Sequence, residues 1–161
     1  MASQGDFRDL LGKPVPFHGK GNALVTGGIE GYVATAARPG CVGVLVLLDA
    51  DKEPACEEGP MFLGRGASTI AQPVVVALAE RDYEDWLYAS VETLSLGEDA
   101  AYVEGANGGA QLARLLGPTP YIKPTWQPRL SARVDLDLAR GRSTSLNRML
   151  NKFDDLRELI A

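Results

Sequence analysis

Two aspartates, two residues apart, follow the most apolar segment of this 161-residue chain. Residues 42–48 contain no polar side chain, a pattern typical of a strand covered on both faces, and Asp49 and Asp51 come directly after. Alternate residues of an extended chain point the same way, and parallel α/β sheets bind ligands beyond the carboxyl ends of their strands. Neighbouring carboxylates repel unless a hard cation such as Mg²⁺ lies between them. The spacing predicts a metal site assisted by Glu53, although a solvated loop is the simpler alternative.

A second acidic segment follows the next predicted strand, residues 73–78. It contains Glu80, Asp82 and Glu84, and it leads into a helix that we expect to continue to Leu94. If the two strands are neighbours in a parallel sheet, their carboxyl ends border one crevice and these acids approach Asp49. Helix capping is the alternative, because Asp82 is a good N-cap and acids in a first turn are stabilised by the helix dipole.

Alternation of strand and helix patterns favours one α/β domain over residues 1–161, with a parallel sheet flanked by helices. The α/β core is expected to end near residue 125, with C-terminal helices from about residue 126. The other predicted elements are an edge strand at 15–18, helices at 23–37, about 60–70 and 110–116, extended chain at 118–128, and helices at 129–140 and 143–160. The last helix is amphipathic, so it packs on its own core or forms a homo-oligomer contact.

Composition excludes several function classes. The chain has 16 Lys and Arg against 21 Asp and Glu, a net charge of −5, which argues against nucleic-acid binding by bulk electrostatics without metal ions or a basic partner. A single histidine, His18, removes the main ingredient of most histidine metal sites and of Ser-His catalysis. Cys41 and Cys56 are expected to be free thiols in a reducing compartment. No membrane helix or signal peptide is apparent, so we expect a cytoplasmic protein.

The order of these motifs resembles a bacterial domain-of-unknown-function family of the Toprim fold. The segments that carry the resemblance, in chain order, are Leu-Leu-Asp49-Ala-Asp51 at the end of a strand, a second strand, Arg-Asp-Tyr-Glu-Asp-Trp-Leu at 81–87, Tyr121-Ile-Lys123 with Gln127, and Ser-Thr-Ser-Leu at 143–146. That family is similar to the nuclease domain of OLD proteins, and its members are often encoded beside AAA-type ATPases. The resemblance covers roughly residues 10–155.

The resemblance implies a nuclease-type, phosphodiester-cleaving centre dependent on Mg²⁺ or Mn²⁺, with DNA or RNA as substrate. Asp49 and Asp51 would hold the metal. Glu84 would match the family's second acidic position, where it would support the metal or orient water. Asp82 stands where a glutamate is expected, and its shorter side chain would still reach the metal. Lys123 and Arg81 would contact substrate phosphates, and an AAA-type ATPase is the expected partner.

One feature of the family pattern is missing. Its first strand carries a glutamate followed by a glycine and should precede residue 15, but residues 1–14 contain no buried-strand pattern, and Glu30 falls in a predicted helix. The alternative function is therefore a catalytically degenerate Toprim-like subunit that regulates a partner ATPase or nucleic-acid complex. Nucleotide-sugar glycosyltransferases also use Asp-x-Asp, but they need a longer sheet. Glu53 departs from the motif of haloacid-dehalogenase-type phosphatases, and a phosphate-binding loop of the ATPase type is absent.

Overall fold

The computed structural model describes residues 12–50 and 54–160, the side chain of Ile160 excepted, and it is a mixed α/β fold. Two strands, β1 (Val44–Asp49) and β2 (Val74–Ala79), pair in parallel. The register runs from Val44 opposite Val74 to Asp49 opposite Ala79, so both strands end at the same edge. Both predicted strands are confirmed to within two residues. The expected cover on both faces is wrong for β1, because Leu47 on its second face is 45% exposed, whereas β2 has no exposed residue.

Helices surround this sheet. In chain order they are α1 (Lys20–Leu24), α2 (Gly28–Ala36), α3 (Ala55–Ala67), α4 (Tyr83–Tyr88), α5 (Gly108–Leu115), α6 (Lys123–Ser131), α7 (Leu136–Arg142) and α8 (Thr144–Ile160). A short 3₁₀ turn at Val91–Thr93 replaces the last turn of the helix predicted to continue to Leu94. The coarse α/β class is confirmed, whereas the described sheet has two strands and the specific Toprim arrangement stays a prediction.

Apolar side chains form three neighbouring clusters. One face of the sheet packs on α2 and α3 through Val44, Val46, Leu48, Val76, Ile29, Val33 and Phe62. A second cluster joins α4, α5 and α6 through Leu87, Tyr88, Val91, Leu94, Leu112 and Leu130. A third connects the end of β2 with α4, α7 and α8 through Ala79, Trp86, Ala89, Ala139 and Leu146. The second and third clusters hold α4 and α6 beside the carboxyl end of β2.

The helix predicted at 23–37 is wrong as a single element. The chain breaks at residues 25–27 into α1 and α2, with Gly27 in the left-handed region at φ 72°. A Cβ on Gly28 would lie 2.2 Å from the backbone oxygen of Asn22, so the two helices meet closely at a residue without a side chain. The edge strand predicted at 15–18 is also wrong, because the described chain there has no strand pairing.

The prolines of residues 118–128 led to a further wrong prediction. That stretch was expected to be extended, but α6 begins within it at Lys123. Pro124 lies in the first turn, where a missing N–H costs nothing and the fixed φ favours the helix. The helix expected at 129–140 is likewise two elements, α6 and α7, separated at residues 132–135. By contrast, α5 and α8 confirm the helices predicted at 110–116 and 143–160, and the Ser143 hydroxyl accepts from the Leu146 amide as the expected N-cap.

Candidate functional site

Asp49 closes β1 at the edge where both strands end. It is half-buried, and the next amide, of Ala50, continues the ladder by donating to the Ala79 carbonyl at 2.8 Å. The Ala50 carbonyl accepts from Lys20 Nζ at 2.6 Å, and the same ammonium lies 3.1 Å from Glu58 Oε2. Lys20 therefore ties the end of β1 to α1 and α3. Asp51 and Glu53, which sequence reasoning assigned to the metal, lie outside the described residues.

Asp82 is the N-cap of α4, as its position after β2 predicted. Its Oδ1 accepts from the Asp85 amide at 3.2 Å, in the geometry that satisfies an otherwise unpaired helix donor. Burial raises the pKa of the Asp82 carboxyl, and the neighbouring charges of Asp85 and Glu84 raise it further. A carboxylate with these surroundings is stabilised by a nearby cation.

Glu84 is the most buried carboxylate at this edge, with 1% of its residue surface exposed. Its Oε1 accepts from the Tyr121 hydroxyl and from Gln127 Nε2, each at 2.9 Å, and its Oε2 accepts from Lys123 Nζ at 3.1 Å. Burial alone would raise the pKa of Glu84, but these hydrogen bonds, from Gln127 first and then from Lys123 and Tyr121, hold it below the usual range. Glu84 is thus an ionised anchor for three donors.

Lys123 is the cation shared by the acids of this edge. Its side chain is 56% exposed, although its Nζ reaches the buried Glu84. Burial opposes its charge, but the hydrogen bond and charge of Glu84, followed by the charges of Asp49 and Asp82, keep its pKa above the ordinary value. Burial and the adjacent Glu84 also raise the pKa of Tyr121, which keeps its phenol protonated. The ammonium of Lys123 therefore interacts electrostatically with three acids that the sequence predicted for this site, namely Asp49, Asp82 and Glu84.

Arg81 is engaged on the other side of α4. Its Nε donates to Asp85 Oδ2 at 2.6 Å, and its Nη2 donates to the Ala106 carbonyl at 2.7 Å. Asp85 Oδ1 in turn accepts from the Gly108 amide at 2.7 Å, so the loop before α5 is held against α4. In this arrangement the guanidinium stabilises the protein's own loop, and its assignment to a substrate phosphate stays a prediction.

The donor set can be compared with what Mg²⁺ requires. Among residues 12–50 and 54–160, no three His, Cys, Asp or Glu side chains are close enough to form a complete cage. Mg²⁺ commonly retains several waters and is held by one or two carboxylates together with substrate phosphates. At this edge Asp82 uses one oxygen to cap α4, whereas both oxygens of Glu84 already accept hydrogen bonds.

Sequence reasoning missed the direct partners of Glu84. Tyr121 and Gln127 were noted only as family motifs, and the contact between Lys20 and Glu58 was not anticipated. A signal was available for α6, since Lys123 and Gln127 stand four residues apart and share one face of a helix. It was obscured because the proline-rich stretch was interpreted as extended.

Within the described chain, none of the helices has the length and apolar character that crossing a bilayer requires. Comparison with protein-family models, with curated proteins and with solved structures gave no match.

Proposed function

We propose that the chain is a Mg²⁺-dependent phosphodiester hydrolase of the nuclease type, with a Toprim-like site at the carboxyl end of β1 and β2. One observation carries this function: Asp49 ends β1 and Asp82 follows β2 at the same edge of a parallel pair, and the ammonium of Lys123 pairs with Glu84 of the helix that Asp82 caps. Carboxylates beside an exposed cation at this edge provide groups for a divalent metal and for an anionic substrate.

The acids divide into two roles. Asp49 and Asp82 are the metal-holding residues, because Asp49 ends β1 and Asp82 uses only one oxygen to cap α4. When bound there, Mg²⁺ would offset the charge that develops on a scissile phosphate. Glu84 is a positioning residue, since its buried carboxylate fixes the ammonium of Lys123 and both of its oxygens are occupied.

Lys123 is the group we assign to substrate phosphate. Its mainly exposed side chain allows an anion to approach Nζ from solvent, and its raised pKa keeps the ammonium charged at neutral pH. Tyr121 remains a hydrogen-bond donor to Glu84 over the same range, so it holds the anchor and does not act as a base.

A cleavage assay with matched variants tests this function. Purified protein is incubated with supercoiled, linear and single-stranded DNA and with RNA, in Mg²⁺, in Mn²⁺ and in EDTA. We expect metal-dependent cleavage that falls at least about 100-fold in Asp49→Asn and persists in Asp99→Asn, whose carboxylate is exposed. Metal binding is measured separately by calorimetry. Cleavage that survives both EDTA and Asp49→Asn would exclude this centre.

A second candidate is a non-catalytic subunit that regulates an AAA-type ATPase or a nucleic-acid complex. It is favoured by the complete use of Glu84 within the chain, which leaves fewer acids for a metal. Under this alternative, Asp49→Asn would leave the cellular phenotype intact, and the tagged protein would co-purify from its native host with an ATPase identified by mass spectrometry. A monomer without a partner and with metal-dependent cleavage would support the enzyme instead.

A further inference from the structure

A cavity of about 350 Å³ lies between α3 and α8, beside β2. Its walls are Ala55, Cys56, Gly59 and Pro60 from α3, Ala77 and Leu78 from β2, and Ser145, Arg148, Met149 and Lys152 from α8. Among residues 12–50 and 54–160, the lining combines apolar side chains with two basic ones and includes no carboxylate. A cavity of this size and mixed character is of the kind that holds a small ligand.

Lys152 is half-buried in this cavity without a counterion. Its Nζ donates to the backbone carbonyl of Val76 in β2, and no acid of the described residues forms an ion pair with it. Burial lowers the pKa of this ammonium, and the nearby charge of Arg148 lowers it further. A partly buried cation usually has an anionic partner, so this one differs from the paired lysines Lys20 and Lys123.

Two further features near Lys152 affect the electrostatic potential of the cavity. Arg148 precedes it by one helical turn on α8, an arrangement of like charges that is unfavourable for an isolated helix. The first residues of α3, Ala55 and Cys56, line the opposite wall, where the positive end of the helix dipole is partly offset by the first-turn acids Glu57 and Glu58. The chain as a whole has a net charge of −5, so two cations with no carboxylate among the described lining residues are a local exception.

We propose that the cavity between α3 and α8 is a binding site for a phosphoryl group, held by Lys152 and Arg148. A phosphate monoester dianion, or two successive phosphodiester groups with one negative charge each, matches two adjacent cations, whereas a single carboxylate would leave one of them unbalanced. The phosphoryl group belongs either to a free nucleotide or to a nucleic-acid backbone. Binding here does not depend on a metal at the acidic edge and is measured without one.

The test is a titration of the intact protein in EDTA, followed by ¹⁵N-¹H NMR and calorimetry. The probes are inorganic phosphate, AMP and a ten-nucleotide oligothymidylate. We expect saturable binding with shifts at the amides of Ala55, Cys56 and Ala77. Each of Arg148→Gln and Lys152→Met should weaken binding by about tenfold or more, because each removes one charge-assisted contact. Arg157→Gln is the matched control, since it removes the same charge from an exposed position of α8 outside the cavity lining.

Each outcome decides a specific point. If phosphate and AMP bind and both Arg148→Gln and Lys152→Met weaken that binding, the site is supported and the phosphoryl group belongs to a free nucleotide. If only the oligonucleotide binds and both variants weaken its binding, the phosphoryl group belongs to a nucleic-acid backbone. Equal weakening by Arg157→Gln would mean a non-specific charge effect and would overturn the site, as would the absence of binding at millimolar concentrations. Arg148 is exposed, so Arg148→Gln keeps the test valid if Lys152→Met fails to fold. Because EDTA is present throughout, a negative result here leaves metal-dependent cleavage unaffected.

Discussion

Replacing Glu84 by glutamine removes the negative charge of this side chain and keeps its shape. The carboxylate accepts three hydrogen bonds, from Tyr121, Gln127 and Lys123, and is almost completely buried. In Glu84→Gln the amide oxygen can still accept from Tyr121 and Gln127. The amide nitrogen, however, faces the ammonium of Lys123, which has no acceptor to offer.

The cost can be worked out from these contacts. A hydrogen bond to a charged group contributes about 1.5–3 kcal/mol and a neutral one about 0.5–1.5 kcal/mol, so the two retained bonds lose about 1 kcal/mol each. A buried N–H group without an acceptor adds about 1 kcal/mol or more. The Lys123 ammonium contributes little to the penalty, because its side chain is 56% exposed and can return to water. We expect Glu84→Gln to lower the free energy of unfolding by about 3 kcal/mol and the melting temperature by about 6–12 °C.

The pH dependence of this difference provides a second check. The pKa of Glu84 in the folded protein lies below its ordinary value of 4.5, so its contribution is complete above about pH 5 and is lost as pH falls through the folded pKa. Urea denaturation of both proteins should therefore show a large difference at pH 7 that shrinks below pH 4. The control is Glu104→Gln at an exposed loop position, which should change stability by less than about 0.5 kcal/mol. A Glu84→Gln protein as stable as the wild type at pH 7 would refute the role of this carboxylate.

Two further substitutions test the anchor and the fold. Tyr121→Phe removes one hydrogen bond to the ionised Glu84 and should lower the free energy of unfolding in urea by about 1.5–3 kcal/mol. The control, Tyr32→Phe, should have a smaller effect, because the Tyr32 hydroxyl donates only to a backbone carbonyl. Equal effects would contradict an ionised Glu84. Gly28→Ala places a Cβ 2.2 Å from a backbone oxygen of α1 and should destabilise the protein by more than about 2 kcal/mol. Gly31→Ala meets open space and should stabilise α2 by about 0.5–1 kcal/mol. Thermal melts that show the same sign for both substitutions would contradict the close contact of α1 with α2.

The sheet was predictable because its signal is local. Residues 42–48 and 73–78 are apolar without interruption, a pattern that predicts a strand from a few consecutive residues. The helix predicted at 23–37 failed for a different reason. Its apolar period is correct within α2, but periodicity carries no information on a close contact between backbones, which here makes Gly28 the meeting point of two helices. Composition alone could not reveal that break.

The candidate site also combines features that the sequence predicts with features that it does not. The positions of Asp49 and Asp82 follow from where the strands end, a property that can be deduced from the sequence. The partners of Glu84 come from a segment about forty residues further along, and bringing Tyr121 and Gln127 to it requires knowing that α6 is a helix and that it packs beside α4. Long-range hydrogen bonds of this kind leave no local pattern, so tertiary packing decides them.

The burial of Glu84 explains why an exposed lysine can still be held in one position. A lysine side chain in water samples many rotamers, and fixing it costs conformational entropy that a surface ion pair seldom recovers. Here the carboxylate is ionised, buried and held by two donors besides Lys123, so the acceptor is ordered independently of the lysine. The entropy cost is therefore confined to Lys123, and its ammonium remains near Asp49 and Asp82 with one side open to solvent. A phosphate that approaches this edge would meet a cation whose position was set during folding.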